Sequence, residues 1–221
     1  MKVILFGATG MVGQGVLREC LVDPHVQSVL SVGRSPTGQV HPKLREIVNP
    51  TLFDLTPVEG ALKGYDACFF CLGISSAGMG EEEYSRITYD LTVAVAGRLA
   101  ALNPGMVFTY VSGAGTDSTE RGRTMWARVK GRTENALLRM PFKAAYMFRP
   151  GIIRPLHGIR SKTKGYRILY ALMSPFVLFA AAVAPNSLTT PEKMGRAMIH
   201  AVERGAAKSV LGTREINLLA L

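Results

Sequence analysis

Residues 2–22 read Lys2-Val-Ile-Leu-Phe6, then Gly7-Ala-Thr-Gly10-Met-Val-Gly13, then Gln14-Gly-Val-Leu-Arg-Glu-Cys-Leu-Val22. An apolar strand pattern runs into a glycine-spaced turn, and the turn opens a helix. Gly7 suits a tight turn, Gly10 lets a pyrophosphate approach the backbone, and Gly13 lets the helix pack close to the sheet. The helix N-terminus offers N–H groups and partial positive charge to phosphates. The stretch predicts a dinucleotide-binding unit, in preference to an ordinary strand-to-helix turn.

The rest of the chain keeps alternating strand and helix patterns. Strand patterns lie near residues 2–6, 28–33, 44–48, 66–72, 105–111 and 143–149, and helical patterns near 11–22, 80–102, 121–140 and 191–204. This alternation predicts an α/β fold with a doubly wound, Rossmann-type parallel sheet of order 3-2-1-4-5-6. The 221 residues fit one domain, 1–221, with 152–190 as a small helical lid or substrate segment.

Composition limits the partners and the compartment. A net charge of +10 favours anionic partners such as a phosphorylated cofactor or an acidic substrate. No basic motif with interleaved aromatic residues appears, so we expect no nucleic acid. Cys68 and Cys71 lie in one apolar strand pattern, where residues three apart face opposite sides, so we expect neither a metal site nor a disulfide. These cysteines and the lack of a signal-peptide pattern predict a cytoplasmic protein.

Residues 154–184 interrupt the alternation. A basic stretch precedes the apolar run Ile168–Ala184, which is short for a bilayer span and is broken by Pro175. We therefore expect two short helices that cover the substrate end of the cofactor. A peripheral membrane contact through 154–184 and a homodimer remain open.

The ends of the second and third strand patterns bear on the choice of cofactor. An NAD site favours an acidic residue after the second strand, but Arg34 stands there and suits the 2′-phosphate of NADP. NADP is thus expected in preference to NAD, with a solvated surface arginine as the alternative. Asp54 and Leu55 are expected to contact the adenine, unless Asp54 caps the following helix.

The later strand ends carry candidate chemistry. Gly73 follows the fourth strand and would let the cofactor lie close to the backbone. Ser112 follows the fifth strand, where a substrate oxygen should lie, although a turn serine bonding its own backbone is equally compatible. Trp126 and Lys130 are four residues apart and share one helix face; a surface lysine is the alternative for Lys130.

Together these features resemble the short-chain dehydrogenase/reductase superfamily in its atypical or extended branch. The chain is most similar to the HIV Tat-interacting-protein-like group, which is also described as NAD-dependent epimerase/dehydratase-like. The resemblance covers essentially the whole chain and rests on Gly7-Ala-Thr-Gly10-x-x-Gly13, Phe70-Cys-Leu-Gly73, Val111-Ser112, Val129-Lys130-Gly-Arg-Thr-Glu134 and Phe148-Arg-Pro-Gly151.

The resemblance implies a serine that polarises a carbonyl, a tyrosine that acts as acid and base, and a lysine that binds the nicotinamide ribose. Ser112 and Lys130 match as catalytic residues, but Trp126 occupies the tyrosine position. An indole N–H neither ionises nor accepts a proton near neutral pH. Four residues are candidates to replace the tyrosine: His157, Tyr84, Tyr89 and Tyr166. The residues expected to bind the cofactor are Gly7, Thr9, Gly10, Met11, Val12, Gly13, Arg34, Asp54, Leu55, Cys71, Leu72, Gly73, Lys130 and Pro150.

Two hypotheses about function follow. The first is an NADP-binding oxidoreductase of the atypical short-chain dehydrogenase/reductase type, acting on a small carbonyl or alcohol substrate. The alternative is a non-catalytic sensor or scaffold that binds NADPH, which Trp126 favours.

Overall fold

The computed structural model describes residues 1–154 and 188–221. Its strands are β1 (Lys2–Phe6), β2 (Ser28–Gly33), β3 (Leu44–Val48), β4 (Ala67–Phe70), β5 (Val107–Val111), β6 (Ala144–Arg149), β7 (Ile152–Ile153), β8 (Leu188–Thr189) and β9 (Val210–Gly212). Its α-helices are α1 (Met11–Val22), α2 (Glu81–Ser85), α3 (Leu91–Leu102), α4 (Met125–Leu138), α5 (Pro191–Arg204) and α6 (Thr213–Leu219). A 3₁₀-helix spans Thr56–Leu62, and a π-helical turn, Arg86–Asp90, joins α2 to α3.

Seven strands form one parallel sheet in the order β3-β2-β1-β4-β5-β6-β9. The predicted doubly wound sheet and its order 3-2-1-4-5-6 are confirmed. Strand β9 extends the sheet beyond β6, and it is an element that the sequence patterns did not indicate. The first strand lies centrally, with Leu5 between Ser31 of β2 and Phe69 of β4.

Helices cover both faces of the sheet, because alternate residues of each buried strand point to opposite sides. On one face, Val3 and Leu5 pack with Leu17 of α1 and Met198 of α5. On the other face, the core contains Ile4, Phe6, Phe70, Leu99 and Leu137. The carboxyl ends of β1 and β4 lie between these two layers, where a doubly wound sheet places its ligand.

The cysteine pattern is a feature of the core. Cys68 belongs to the cluster on one face of the sheet and Cys71 packs against the cluster on the other, and both thiols are free. Burial raises the pKa of the Cys71 thiol to about 12, so it remains protonated. The two residues therefore do not act as a pair.

The predicted lid segment, 152–190, lies outside the described residues except at its ends, which belong to β7 and β8. The same holds for the segment 154–184, for which membrane contact was left open. None of the helices in the described ranges, 1–154 and 188–221, has the length and apolar character needed to cross a bilayer.

Candidate functional site

A cavity of about 950 Å³ opens at the carboxyl ends of β1, β2, β4 and β5. It extends from the glycine turn after β1, past the end of β2, to the loops after β4 and β5. Of the residues proposed to bind the cofactor, all but three line it: Gly7, Thr9, Gly10, Met11, Val12, Arg34, Cys71, Leu72, Gly73, Lys130 and Pro150. Gly13, Asp54 and Leu55 do not.

The glycine turn is shaped by close backbone contacts. Gly7 has φ +83°, and a Cβ there would lie 2.7 Å from the Cys71 carbonyl carbon. A Cβ on Gly13 would lie 2.0 Å from the Gly7 carbonyl oxygen, which explains why Gly13 sits behind the cavity, packing α1 against the turn. Gly10 is the N-cap of α1, and no side chain caps the helix there. The first amides of α1 therefore face the cavity wall with no side-chain acceptor at the N-cap.

Arg34 stands at the rim of the cavity beyond β2, with Gly33 and Ser35 beside it. Its side chain is exposed. Among the described residues that line the cavity, none is acidic. This end of the cavity is therefore suited to an anionic group, and its described lining carries no carboxylate that could accept from a pair of ribose hydroxyls.

The structure does not bring Asp54 and Leu55 to the cavity. Leu55 is 4% exposed and belongs to the core, and Asp54 accepts a hydrogen bond from the backbone N–H of Thr56 at 2.9 Å. The structure thus places neither residue at the cavity, and the N-cap of the 3₁₀-helix is Leu55 rather than Asp54, whose side chain instead accepts from the N–H of the first helical residue, Thr56. Leu52, three residues earlier in the same loop, lines the cavity.

Gly73, after β4, has open space where a Cβ would stand. Pro150 and Gly151, after β6, lie along the opposite wall.

Ser112 lines the cavity at the end of β5, but its hydroxyl is already bonded. Its Oγ donates to Oε1 of Glu134 at 2.5 Å and lies 3.2 Å from the carbonyl oxygen of Phe148. Glu134 is 1% exposed, and both of its oxygens accept from Nε of Arg149 at 3.1 Å. Arg149 Nη2 also donates to Glu134 and to the Ser118 hydroxyl. The single Ser112 proton is thus directed toward Glu134, which does not line the cavity.

Sequence reasoning named Glu134 only as part of a family motif and gave it no role. It lies four residues after Lys130, so both side chains lie on one face of α4, as residues four apart do. That spacing was the available signal. The partner Arg149 comes from β6, and its contact with Glu134 is tertiary.

Lys130 reaches the same wall from α4. Its Nζ donates to the Val111 carbonyl at 3.4 Å and lies 5.4 Å from the centre of the Tyr110 ring. Burial lowers the pKa of Lys130 to about 8, against an opposing effect of the Glu134 charge. A half-buried ammonium with a lowered pKa in a cleft is typical of a functional group.

Trp126 lines the cavity one turn before Lys130. Its ring packs against Gly115, where a Cβ would lie 3.4 Å from the indole. Trp126 and Lys130 therefore face the same cavity, as expected from their spacing. The indole occupies the position at which the family resemblance implies a tyrosine.

The structure separates the candidates for the missing tyrosine. Tyr84 lines the cavity and is 1% exposed. Tyr89 lies outside the cavity lining, under the guanidinium of Arg132 at 4.0 Å. His157 and Tyr166 lie outside the described residues.

No family model matches the chain. Curated relatives include the mitochondrial protein FMP52 of Eremothecium gossypii, 28% identical over 155 residues that cover 69% of this chain and 66% of that protein. They also include HTATIP2 of Rattus norvegicus, 26% identical over 155 residues that cover 69% of this chain and 62% of that protein. The matched stretch spans just under two thirds of the length of either relative.

Solved structures share the fold at low identity. MoeE5 in complex with UDP-glucose and NAD has a TM-score of 0.68 at 18% identity, covering 96% of this chain and 75% of that chain. A UDP-N-acetylglucosamine 4-epimerase from Methanobrevibacter ruminantium has a TM-score of 0.70 at 13% identity, with the same coverage. The Rossmann-type architecture is thus shared with a structure solved with bound NAD and with the structure of a 4-epimerase.

The expected cytoplasmic location is wrong on this comparison, because the fungal relatives are named as mitochondrial. The reasoning failed because free cysteines report a reducing environment, which does not single out the cytosol.

Proposed function

We propose that this chain, which is similar to the mitochondrial protein FMP52 and to HTATIP2, is an NAD(P)-dependent oxidoreductase of the short-chain dehydrogenase/reductase type. In this proposal the cavity holds a nicotinamide dinucleotide, and the substrate is a small alcohol or carbonyl. The observation that carries the proposal is the glycine turn, whose uncapped helix N-terminus opens onto a cavity that continues to Ser112 and Lys130.

The cavity offers a matching group for each part of a dinucleotide. The amides at the start of α1 suit the pyrophosphate, since helix N-termini bind anions through free N–H groups and the helix dipole. Gly10 and Gly73 leave room for phosphates and ribose to approach the backbone. Lys130 would donate to the ribose hydroxyls at the nicotinamide end, where Trp126 forms the apolar wall.

When bound, the dinucleotide supplies or accepts the hydride. The chain's own residues position the substrate oxygen and exclude water. Ser112 contacts that oxygen, and Trp126 cannot exchange its proton. Any proton transfer must therefore use another group, of which Tyr84 is the phenol placed in the cavity among the described residues.

We further propose a preference for NADPH over NADH, based on Arg34 and on the lack of an acidic residue in the described cavity lining. Arg34→Ala should weaken NADPH binding by about 1–3 kcal/mol, roughly 5- to 150-fold, because it removes hydrogen bonds to a charged phosphate. NADH binding should be unchanged, because NADH has no 2′-phosphate.

The matched control is Arg139→Ala, which removes the same charge from an exposed position outside the cavity lining. It should leave both affinities as they are. Titration can follow the emission of Trp126, the single tryptophan of the chain, which lines the cavity. Tighter binding of NADH than of NADPH would refute the preference, and no binding of either would refute the proposed function.

A further inference from the structure

The hydroxyl of Ser112 has one hydrogen and two lone pairs, and its neighbours decide which of them faces the cavity. The Glu134 carboxylate at 2.5 Å and the Phe148 carbonyl at 3.2 Å are both acceptors. The hydrogen can serve only one of them, and the shorter, charge-assisted bond to Glu134 is the stronger. The side of Oγ that remains open to the cavity therefore carries lone pairs alone.

Glu134 is held as an acceptor by Arg149. Both carboxylate oxygens receive N–H bonds from this guanidinium, which keeps its protons in proteins. Glu134 is 1% exposed, so Oε1 would keep only its 3.1 Å bond from Arg149 Nε if Ser112 turned away, with no water to replace the lost short bond. Rotation of the Ser112 hydroxyl toward the cavity is disfavoured for that reason. The orientation of one proton is thus fixed by a buried ion pair between α4 and β6.

We infer that Glu134 makes Ser112 a hydrogen-bond acceptor, and that the site recognises substrates which present a hydroxyl rather than a carbonyl oxygen. The inference rests on the proposed function, since it assigns the alcohol as the preferred substrate form. An alcohol O–H can donate to the exposed lone pair of Ser112, whereas a carbonyl oxygen would meet another acceptor. Glu134 acts through Ser112 and is a positioning residue.

The test compares the binding of matched secondary alcohols and ketones, beginning with 1-phenylethanol and acetophenone and extending to aliphatic pairs. Protein is first saturated with a tetrahydro form of NADPH, whose ring cannot give up a hydride, so both ligands meet the same unreactive complex. Trp126 emission reports the binding of each ligand, because the indole lines the cavity. We expect the alcohol to bind at least about tenfold more tightly than its ketone. A site that accepts a hydrogen bond from a substrate hydroxyl disfavours an analogue that cannot donate one.

Two variants separate this role from a structural one. Ser112→Ala keeps the Glu134–Arg149 pair and should bring the alcohol-to-ketone affinity ratio to about one. Glu134→Gln carries an amide that can donate to Ser112 Oγ and release its proton toward the cavity, so the ratio should fall and the ketone should gain. The control Ser118→Ala removes a different hydroxyl bonded to Arg149 and should leave the ratio unchanged. A merely structural role would weaken both ligands equally in each variant.

The outcomes are distinguishable. Failure of the dinucleotide analogue, NADPH and NADH to bind refutes the proposed function. If the dinucleotide binds but no alcohol of the panel binds better than its ketone, the inference is overturned. It is also overturned if Ser112→Ala folds with an unchanged ratio.

Discussion

Lys130→Met should stabilise the fold near neutral pH while it weakens dinucleotide binding. Burial lowers the pKa of Lys130 from 10.5 to about 8, so the folded protein holds this proton less tightly than the unfolded chain does. For a base whose folded pKa is depressed, stability rises with pH between the two values, because the unfolded state binds more protons there. Below pH 8 Lys130 is charged in the folded state, which therefore carries the full free-energy cost of desolvating the ammonium. Replacement by methionine removes this cost.

The size of the effect follows from the two pKa values. A difference of 2.5 units between 10.5 and about 8 corresponds to about 3 kcal/mol, at 1.36 kcal/mol per unit. Lys130→Met also loses the bond to the Val111 carbonyl and the contact with the Tyr110 ring, together about 1–2 kcal/mol at any pH. The variant should therefore gain about 1–2 kcal/mol at pH 7 and lose a similar amount at pH 10.5.

Urea unfolding of wild type and variant at pH 7 and pH 10.5 measures both contributions to the free energy of unfolding, the one from the titration of Lys130 and the one from its lost contacts. The change in the mutational effect between the two pH values, about 3 kcal/mol, isolates the titration of Lys130 from its contacts. Lys63→Met makes the same replacement at an exposed lysine and should give one value at both pH values. A pH-independent effect of Lys130→Met, or a destabilisation at pH 7, would show that desolvation of the Lys130 ammonium does not destabilise the folded protein. Unimpaired NADPH affinity would remove Lys130 from the proposed site.

Three further predictions follow from the same structure. Gly10→Ala should fold, because φ is −79° and the new Cβ, 3.2 Å from the Gly7 carbonyl oxygen, requires a shift of only a few tenths of an ångström. Dinucleotide affinity should nevertheless drop at least about tenfold, since the methyl would stand where the phosphates are proposed to approach. Full affinity in titration would contradict the glycine turn as the binding element. Gly15→Ala should destabilise by about 1–3 kcal/mol in urea unfolding, because its Cβ would lie 2.2 Å from Pro191 Cβ in the contact of α1 with α5. Gly97→Ala, which meets open space in α3, should instead stabilise by about 0.5–1 kcal/mol. Trp126→Tyr should raise a slow alcohol or ketone turnover, since it restores an ionisable phenol, and robust wild-type activity that disappears in a Trp126→Phe variant would show that the indole itself is essential.

The parts of the fold that sequence could predict are those fixed by local chemistry. The turn after β1 requires residues without side chains, and the close contacts at Gly7 and Gly13 show why. The alternation of strands and helices indicated a parallel sheet, and the glycine turn after the first strand indicated the Rossmann order. Strand β9 was not predicted, because a strand of three residues is too short to show a periodic pattern of apolar residues. Its pairing with β6 depends on the tertiary fold.

The loop after β3 shows the same limit within the site. Asp54-Leu55 had the composition of an adenine contact, but the chain turns so that Leu55 enters the core and Leu52 faces the cavity. Residue types alone do not indicate which of two leucines three positions apart in a loop faces the cavity and which enters the core. The loop does reach the cavity, but through Leu52 and not through Asp54 or Leu55.

Ser112 shows what sequence patterns cannot predict about a site. They placed the residue in the cavity wall, but they did not predict whether its hydroxyl donates or accepts a hydrogen bond there. Whether a hydroxyl donates or accepts depends on what lies behind it, and here that is Glu134, twenty-two residues later in the chain. Both carboxylate oxygens of Glu134 in turn accept hydrogen bonds from Arg149 of β6. A motif match reports that a serine stands at the end of β5, but not the direction of its proton. In the preference for alcohols that we propose, the deciding group is therefore a buried ion pair that does not line the cavity.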